Sequence, residues 1–356
     1  MTTATSTTSA DTADDIAAIL AESAARLFAE ACPPALLRRA ESDDAVAPAL
    51  WASLDALGLP QACAPEDAGG SGLGWSAVCG LIESCGEHGL PVALPEMLAA
   101  QLVARGAGLD MPTGVRLALA CGRREADDIV ADAVAGVAPG VRVLVEVEGR
   151  LLALAADEAR AAISRNAAGE SRADLVWTGA AAALATAPVS AESVLLAGAA
   201  IRIGQIAGAS RRALALSVGY ANDRVQFGKP IGKFQALQQN LAVAAEWSAM
   251  ATMAARLVMA DPGVRLEADR VAACREVACT AALQVAEVAH AVHGAIGVTA
   301  EYDLQLFTRR LKQWAAEFGS ARFWAGRLGS SLVARSTDTA WDRVVSLTRG
   351  DAPVPA

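Results

Sequence analysis

Between Tyr220 and Gln239 the sequence reads YANDRVQFGKPIGKFQALQQ, where charge, amide, ring, glycine and proline interrupt an otherwise apolar, alanine-rich chain. Gly228 suits a left-handed helix cap and Pro230 cannot continue a helical ladder, so a helix should end near Phe227 and another begin near Phe234. Arg224, Gln226 and Phe227 then share a corner. A forked cation, an amide and an aromatic face together can grip a phosphate and cover a flat ring. The same spacing also suits a helical hairpin whose arginine pairs with a surface carboxylate. His293, among the glycines of VHGAIG, stands where acid or base work is conceivable, yet no carboxylate pairs with it in sequence. His88, His290 and His293 with seven cysteines lacking a C-x-x-C pair argue against a tetrahedral metal site.

The elements that must position this corner follow from composition. With 356 residues, 54% hydrophobic and 4% aromatic, the chain can bury a large core of Ala, Leu and Val, which favours closely packed helices. A net charge of −9 argues against nucleic acid or an anionic membrane as partner. The odd cysteine count fits thiols used as small core residues in a reducing, cytoplasmic compartment. The most apolar stretch, Ser193 to Tyr220, contains Arg202, Gln205, Arg211 and Arg212 and is expected to be a buried bundle helix rather than a membrane span. Its Gly204 and Gly208, one turn apart, allow close helix contact.

Along the chain, residues 1–12 lack the marks of an export signal and are expected to be a disordered tail. Residues 13–112 form a helical domain, with helices over Ala13–Ala31, Val46–Leu57 and Trp75–Glu87, another from near Leu94, and a Pro/Gly-rich loop from Gly58 to Gly74. Residues 113–189 hold short Val/Leu runs between turn formers such as Pro139-Gly140, which predict a small β-domain. Residues 190–335 should make a four-helix bundle: one helix to Phe227, then Phe234–Ala260, Leu266–Val292 and Glu301–Leu332. Residues 336–356 are left as a loose tail. The fold class expected is mostly α with a small central β-domain.

The corner also carries a resemblance. Tyr220, Ala221, Arg224, Gln226, Phe227, Gly228, Pro230, Ile231, Phe234 and Gln235 match the Y-A-x-x-R-x-Q-F-G-x-P-I-x-x-F-Q pattern of the acyl-CoA dehydrogenase family, and VHGAIGVTAEYDLQLFTRRLK, Val292 to Lys312, resembles its later V-H-G-G-I-G segment. The early GLPQACAPEDAGGSGLG loop is similar to the family's opening domain. The resemblance implies a shortened β-domain between an N-terminal helical domain and a C-terminal bundle, with FAD as cofactor and a CoA thioester as substrate. No match is found to the T-E-P-x-x-G-S-D segment that lines flavin and thioester in the family.

The chemistry implied is loss of two hydrogens across Cα–Cβ of the thioester, a carboxylate taking the α-proton while flavin takes the hydride. A general base contributes about 10²–10⁴ in rate. The family places this glutamate at one of two positions. Here Gly198 stands at the first, with Ala199 where a substrate-contacting arginine is usual, and Phe318 stands at the second, leaving Glu317 one residue out of register as the candidate base. On a helix that offset rotates a side chain by about 100 degrees, and Glu317 would otherwise pair with Arg310 or Arg322. By the resemblance, Arg224, Gln226, Phe227, Ile231 and Gln235 reach FAD held mainly by a neighbouring subunit, as do Gly294 and Gly297, although Ala291 replaces the usual adenine-contacting glutamine and Ala295 a glycine. The chain is thus most similar to the subunit without the base in heteromeric α2β2 enzymes acting on steroid side-chain CoA thioesters, with an electron-transfer flavoprotein as a further partner. A self-sufficient homotetramer using Glu317 and a flavin-free scaffold are the alternatives.

Overall fold

The computed structural model describes residues 7–112, 114–179, 185–189, 193–334 and 339–349; the expectations for residues 1–6 and 350–356 lie outside them. Five helices open the chain: α1 (Thr7–Ala31), α2 (Pro34–Ala40), α3 (Val46–Ala56), α4 (Trp75–Glu87) and α5 (Leu94–Gly106). Pro33-Pro34 separates the first two, since Pro34 takes the first helical position of α2, where its missing N–H costs nothing. Residues 7–12, expected to be disordered, belong to α1.

The sheet follows, with β1 (Leu117–Glu125), β2 (Asp128–Val134), β3 (Arg142–Val147), β4 (Arg150–Ala155), β5 (Arg160–Arg165), β6 (Ser171–Trp177) and β7 (Ala185–Pro188) in the order β5-β6-β2-β1-β3-β4-β7. The β1–β3 pairing is parallel, Leu119 opposite Leu144, and the other described pairings are antiparallel. Ala118, Val143, Val145, Leu154, Leu175 and Trp177 give the sheet its own core. Trp177 Nε1 donates to Ala155 O at 2.8 Å, so the ring is buried without an orphan donor.

The remainder is α6 (Ser193–Asp223), a hairpin of β8 (Val225–Gln226) and β9 (Lys229–Pro230), then α7 (Gln235–Val258), α8 (Ala268–His293), α9 (Leu304–Ala316), α10 (Ala321–Ala334) and α11 (Ala340–Arg349). Glu267 caps α8 by accepting from the Asp269 and Arg270 N–H groups at 3.1 and 2.6 Å. Two expectations change here. The single helix from Glu301 to Leu332 is two, because Phe318 and Gly319 take left-handed backbone at φ 50° and 92° and turn the chain. Part of the expected loose tail is α11, which lies against α8, where Arg270 Nε donates to Leu347 O at 3.0 Å.

α6 is the axis of the molecule, packing on α4, α5, α7, α8 and α9. A β-carbon on Gly86 would lie 2.1 Å from Gln205 O, and one on Gly208 1.9 Å from Glu83 O, so α4 and α6 cross with their backbones touching. Arg211 fixes the crossing through Glu83 at 2.8 Å and Glu87 at 3.0 Å. By length and composition three described helices are apolar enough to cross a membrane, an outcome of alanine-rich sequence. In α6 that apolar window is 83% buried inside the protein, whereas in α7 it is 33% buried. Six cysteines are buried and Cys121 is exposed.

Candidate functional site

The first region is a largely buried cluster of charge where the helices meet the sheet. Glu317 follows the last residue of α9 in extended backbone, so the helical rotation argument does not apply to it. Its Oε2 accepts from Arg202 Nε of α6 at 2.7 Å, and its Oε1 accepts from Arg172 Nη2 of β6 at 3.0 Å, Gln313 Nε2 at 2.9 Å and Asn166 Nδ2 at 3.2 Å. Arg202, 2% exposed, also reaches Glu96 of α5 at 2.7 Å and Gln205. Arg172 also reaches Glu170 at 2.7 Å, with Arg310 3.9 Å from Glu170 on its far side. Burial alone would push the Glu317 carboxyl up, but Arg202 and Arg172 together with the Gln313 donor hold it down at about 2. A carboxylate so paired, and protonated only in strong acid, is poorly matched to base work near neutrality. The partners of Glu317 are Arg202 and Arg172 rather than Arg310 or Arg322, a pairing that suits a structural role. Beside the cluster a cavity of about 360 Å³ opens between sheet and helices, walled by Trp51, Val92 and Val137 with Arg172 and Arg310 at its floor.

Phe318 and Gly198 meet in this region. A β-carbon built on Gly198 would fall 2.3 Å from the Phe318 ring, so the ring occupies the space that any side chain at 198 would need. Arg202 sits 5.7 Å from the ring centroid. Helix α8 holds the turn that presents the ring: the buried Arg275 Nη2 donates to Glu317 O at 2.6 Å and to Trp314 O, and Cys279 Sγ donates to Ala315 O at 3.3 Å. These donors satisfy the open carbonyls at the end of α9. Nε and Nη1 of Arg275 are buried without a described partner, and burial pulls its guanidinium down to about 10.

The second region is exposed. α6 stops at Asp223, four residues short of the expected end, and Phe227 (φ 52°) with Gly228 (φ 76°) forms a two-residue turn between Gln226 and Lys229. Both central residues have positive φ, the signature of a type I′ hairpin, so Gly228 is a hairpin residue and not a helix cap. Phe227 is 91% exposed. Arg224, Gln226 and Gln235 are exposed as well, and Ile231 opens the one-turn helix that leads into α7, its N–H bonded to Arg224 O at 2.8 Å. Gln226 Nε2 donates to Val225 O at 2.9 Å. Gly294, exposed at φ 63°, and the buried Gly297 belong to the turn after α8. His293, the last residue of α8, stacks on Tyr220 and has no carboxylate partner among the described residues.

Residues 15–108 match the model of the acyl-CoA dehydrogenase N-terminal domain, and residues 189–322 that of the C-terminal domain. The chain belongs to the acyl-CoA dehydrogenase family. Acyl-CoA dehydrogenase IpdE2 of Mycolicibacterium smegmatis is 36% identical over 125 residues, covering 35% of this chain and 39% of that protein. Acyl-CoA dehydrogenase FadE34 of Mycobacterium tuberculosis is 30% identical over 306 residues, 78% of this chain and 41% of that protein. The chain thus spans about two fifths of the length of the curated relatives it matches. A chain of the ChsE4-ChsE5 complex from Mycobacterium tuberculosis shares the fold, with a TM-score of 0.75 at 22% identity over 91% of this chain and 98% of that one. The family fold, mostly helical with a central sheet, is the one the sequence implied. The cluster residues Arg202, Arg172, Glu96 and Arg275 were not singled out as site residues; the one available signal was a charge at 202 inside an apolar helix.

Proposed function

We propose that the chain is a subunit of an FAD-dependent dehydrogenase of CoA thioesters, supplying Arg224, Gln226, Phe227, Ile231, Gln235 and the Gly294–Gly297 backbone to FAD held chiefly by a homologous subunit that brings the base. The observation carrying this is the Phe318 ring seated on Gly198. Both positions where a family base would stand are apolar, they fill one another's space, and the nearest carboxylate is spent on two arginines.

The hairpin fits a flavin dinucleotide where the interior does not. Arg224 is exposed and its guanidinium bonds no described residue, so its forked donors are free for a diphosphate. The exposed Gly294 offers backbone to an approaching ligand without a side chain in the way. FAD, when bound, supplies the hydride acceptor for the β-hydrogen of the thioester. The residues of this chain then bind and orient the dinucleotide, while Glu317 holds the sheet to the bundle. α7 presents Val243, Met250 and Met253 to solvent, an apolar face suited to a partner subunit. The ChsE4-ChsE5 complex, one chain of which shares this fold, supports a heteromeric arrangement, which we extend to α2β2. We extend the same reading to steroid side-chain CoA thioesters as substrate and an electron-transfer flavoprotein as electron acceptor.

The test is flavin absorbance near about 450 nm in the chain purified alone and after co-expression with a homologous dehydrogenase subunit. Colour confined to the complex is the expected result. Colour with thioester-dependent bleaching in the lone chain would overturn it in favour of a homotetramer, and absence of colour in both would favour a flavin-free scaffold.

A further inference from the structure

We infer that His293 is a positioning residue that ties the Arg224 hairpin to the Gly294–Gly297 turn, so that both present themselves to FAD as one surface. The inference rests on the function proposed above and adds to it a residue that touches neither cofactor nor substrate.

His293 is 4% exposed at the C-terminus of α8. Its ring lies on Tyr220 of α6 at a centroid distance of 4.5 Å and an interplanar angle of 22°, and Tyr302, just before α9, closes on it at 4.9 Å. Tyr220 is one turn upstream of the hairpin, and its carbonyl accepts the Arg224 N–H at 2.9 Å. The next residue after His293 is Gly294, and a β-carbon on Gly297 would come 2.9 Å from His293 Cβ. His293 therefore borders the root of both segments, its ring on Tyr220 and its Cβ beside Gly297.

Its hydrogen bonding suits a fixed plate. Nδ1 lies 2.7 Å from Ala289 O, and a carbonyl only accepts, so Nδ1 carries the proton. Nε2 is left as a bare acceptor, buried and without a described partner, and burial keeps the ring neutral by lowering its affinity for a second proton. A flat neutral ring with one face on Tyr220 passes a displacement of α6 directly to the glycine turn.

The experiment uses the complex with the homologous subunit, stripped of flavin and titrated with FAD by fluorescence. His293→Ala should weaken FAD by roughly fivefold to tenfold, the scale of a lost aromatic stack. His293→Phe, which keeps a flat ring but not Nδ1, should stay within about twofold of the native complex. Tyr220→Leu, which removes the stacked face while leaving His293 in place, should match His293→Ala. A merely structural role would lower the melting temperature of the flavin-free complex while leaving the FAD titration unmoved, and that result overturns the inference. Arg224→Ala is the reference: if it weakens FAD and His293→Ala does not, only the positioning role falls. If neither variant weakens FAD, the proposed flavin contacts fall and the positioning role with them.

Discussion

Glu317 and Arg224 are charged side chains on the two segments that resemble an enzyme site, yet their surroundings are opposite. Glu317 is enclosed, accepts four hydrogen bonds from four side chains and lies beside a ring wedged against Gly198. Arg224 stands in solvent beside an exposed phenylalanine held in left-handed backbone. A saturated interior polar group stabilises a fold but has nothing left to give a ligand, whereas a displayed and unsatisfied one costs the fold little and is free to bind. The difference teaches where this chain has exchanged chemistry for packing and where it has kept contact surface.

That contrast can be broken most forcefully at Arg202. Arg202→Met strands Glu96 as a buried carboxylate and leaves Glu317 with Arg172 as its one cation, and should destabilise the chain by about 3–5 kcal/mol, read from denaturant unfolding. A loss below about 1 kcal/mol would mean that the cluster is wetter than its burial implies.

Acid probes the same region. The folded Glu317 carboxyl titrates at about 2 against an ordinary 4.5, so its stabilisation is complete above about 4.5 and lost as pH falls toward about 2. Glu317→Gln should flatten that part of the stability profile, removing on the order of 3 kcal/mol of pH dependence from the chain. A variant profile parallel to the native one would remove Glu317 as the responsible group.

Gly198→Ala places a methyl group against the Phe318 ring and should cost about 1–3 kcal/mol by overpacking. Adding Phe318→Leu should recover part of that cost, and a double-mutant cycle reading no coupling would disprove the contact. The smallest effect on folding belongs to the hairpin. Arg224→Ala should change stability by less than about 0.5 kcal/mol, while weakening FAD in the complex by about tenfold or more, the worth of a charge-assisted hydrogen bond.

Much of this contrast was legible in sequence, unevenly. The helix Trp75–Glu87 could be bounded to the residue because Gly74 precedes a clear apolar period and turn formers close it. The break at Phe227 was visible through Gly228 and Pro230, but the hairpin was not, since periodicity carries no sign that a phenylalanine will adopt positive φ. Glu317 was found as a candidate by counting, and its role was not. Arg202 lies 115 residues away and Arg172 145, and pairing across such distances is set by tertiary packing rather than local pattern. The Gly198–Phe318 contact was latent in the two apolar residues found at the expected base positions.

The touching backbones of α4 and α6 have a consequence for the chain as a polymer. They join a segment before the sheet to one after it, with backbone against backbone at Gly86 and Gly208, so the sheet is in effect a loop hung from a welded joint. A protease that nicks one of its turns, at Gly149 for example, should yield two fragments that migrate as one species through gel filtration and part only in denaturant.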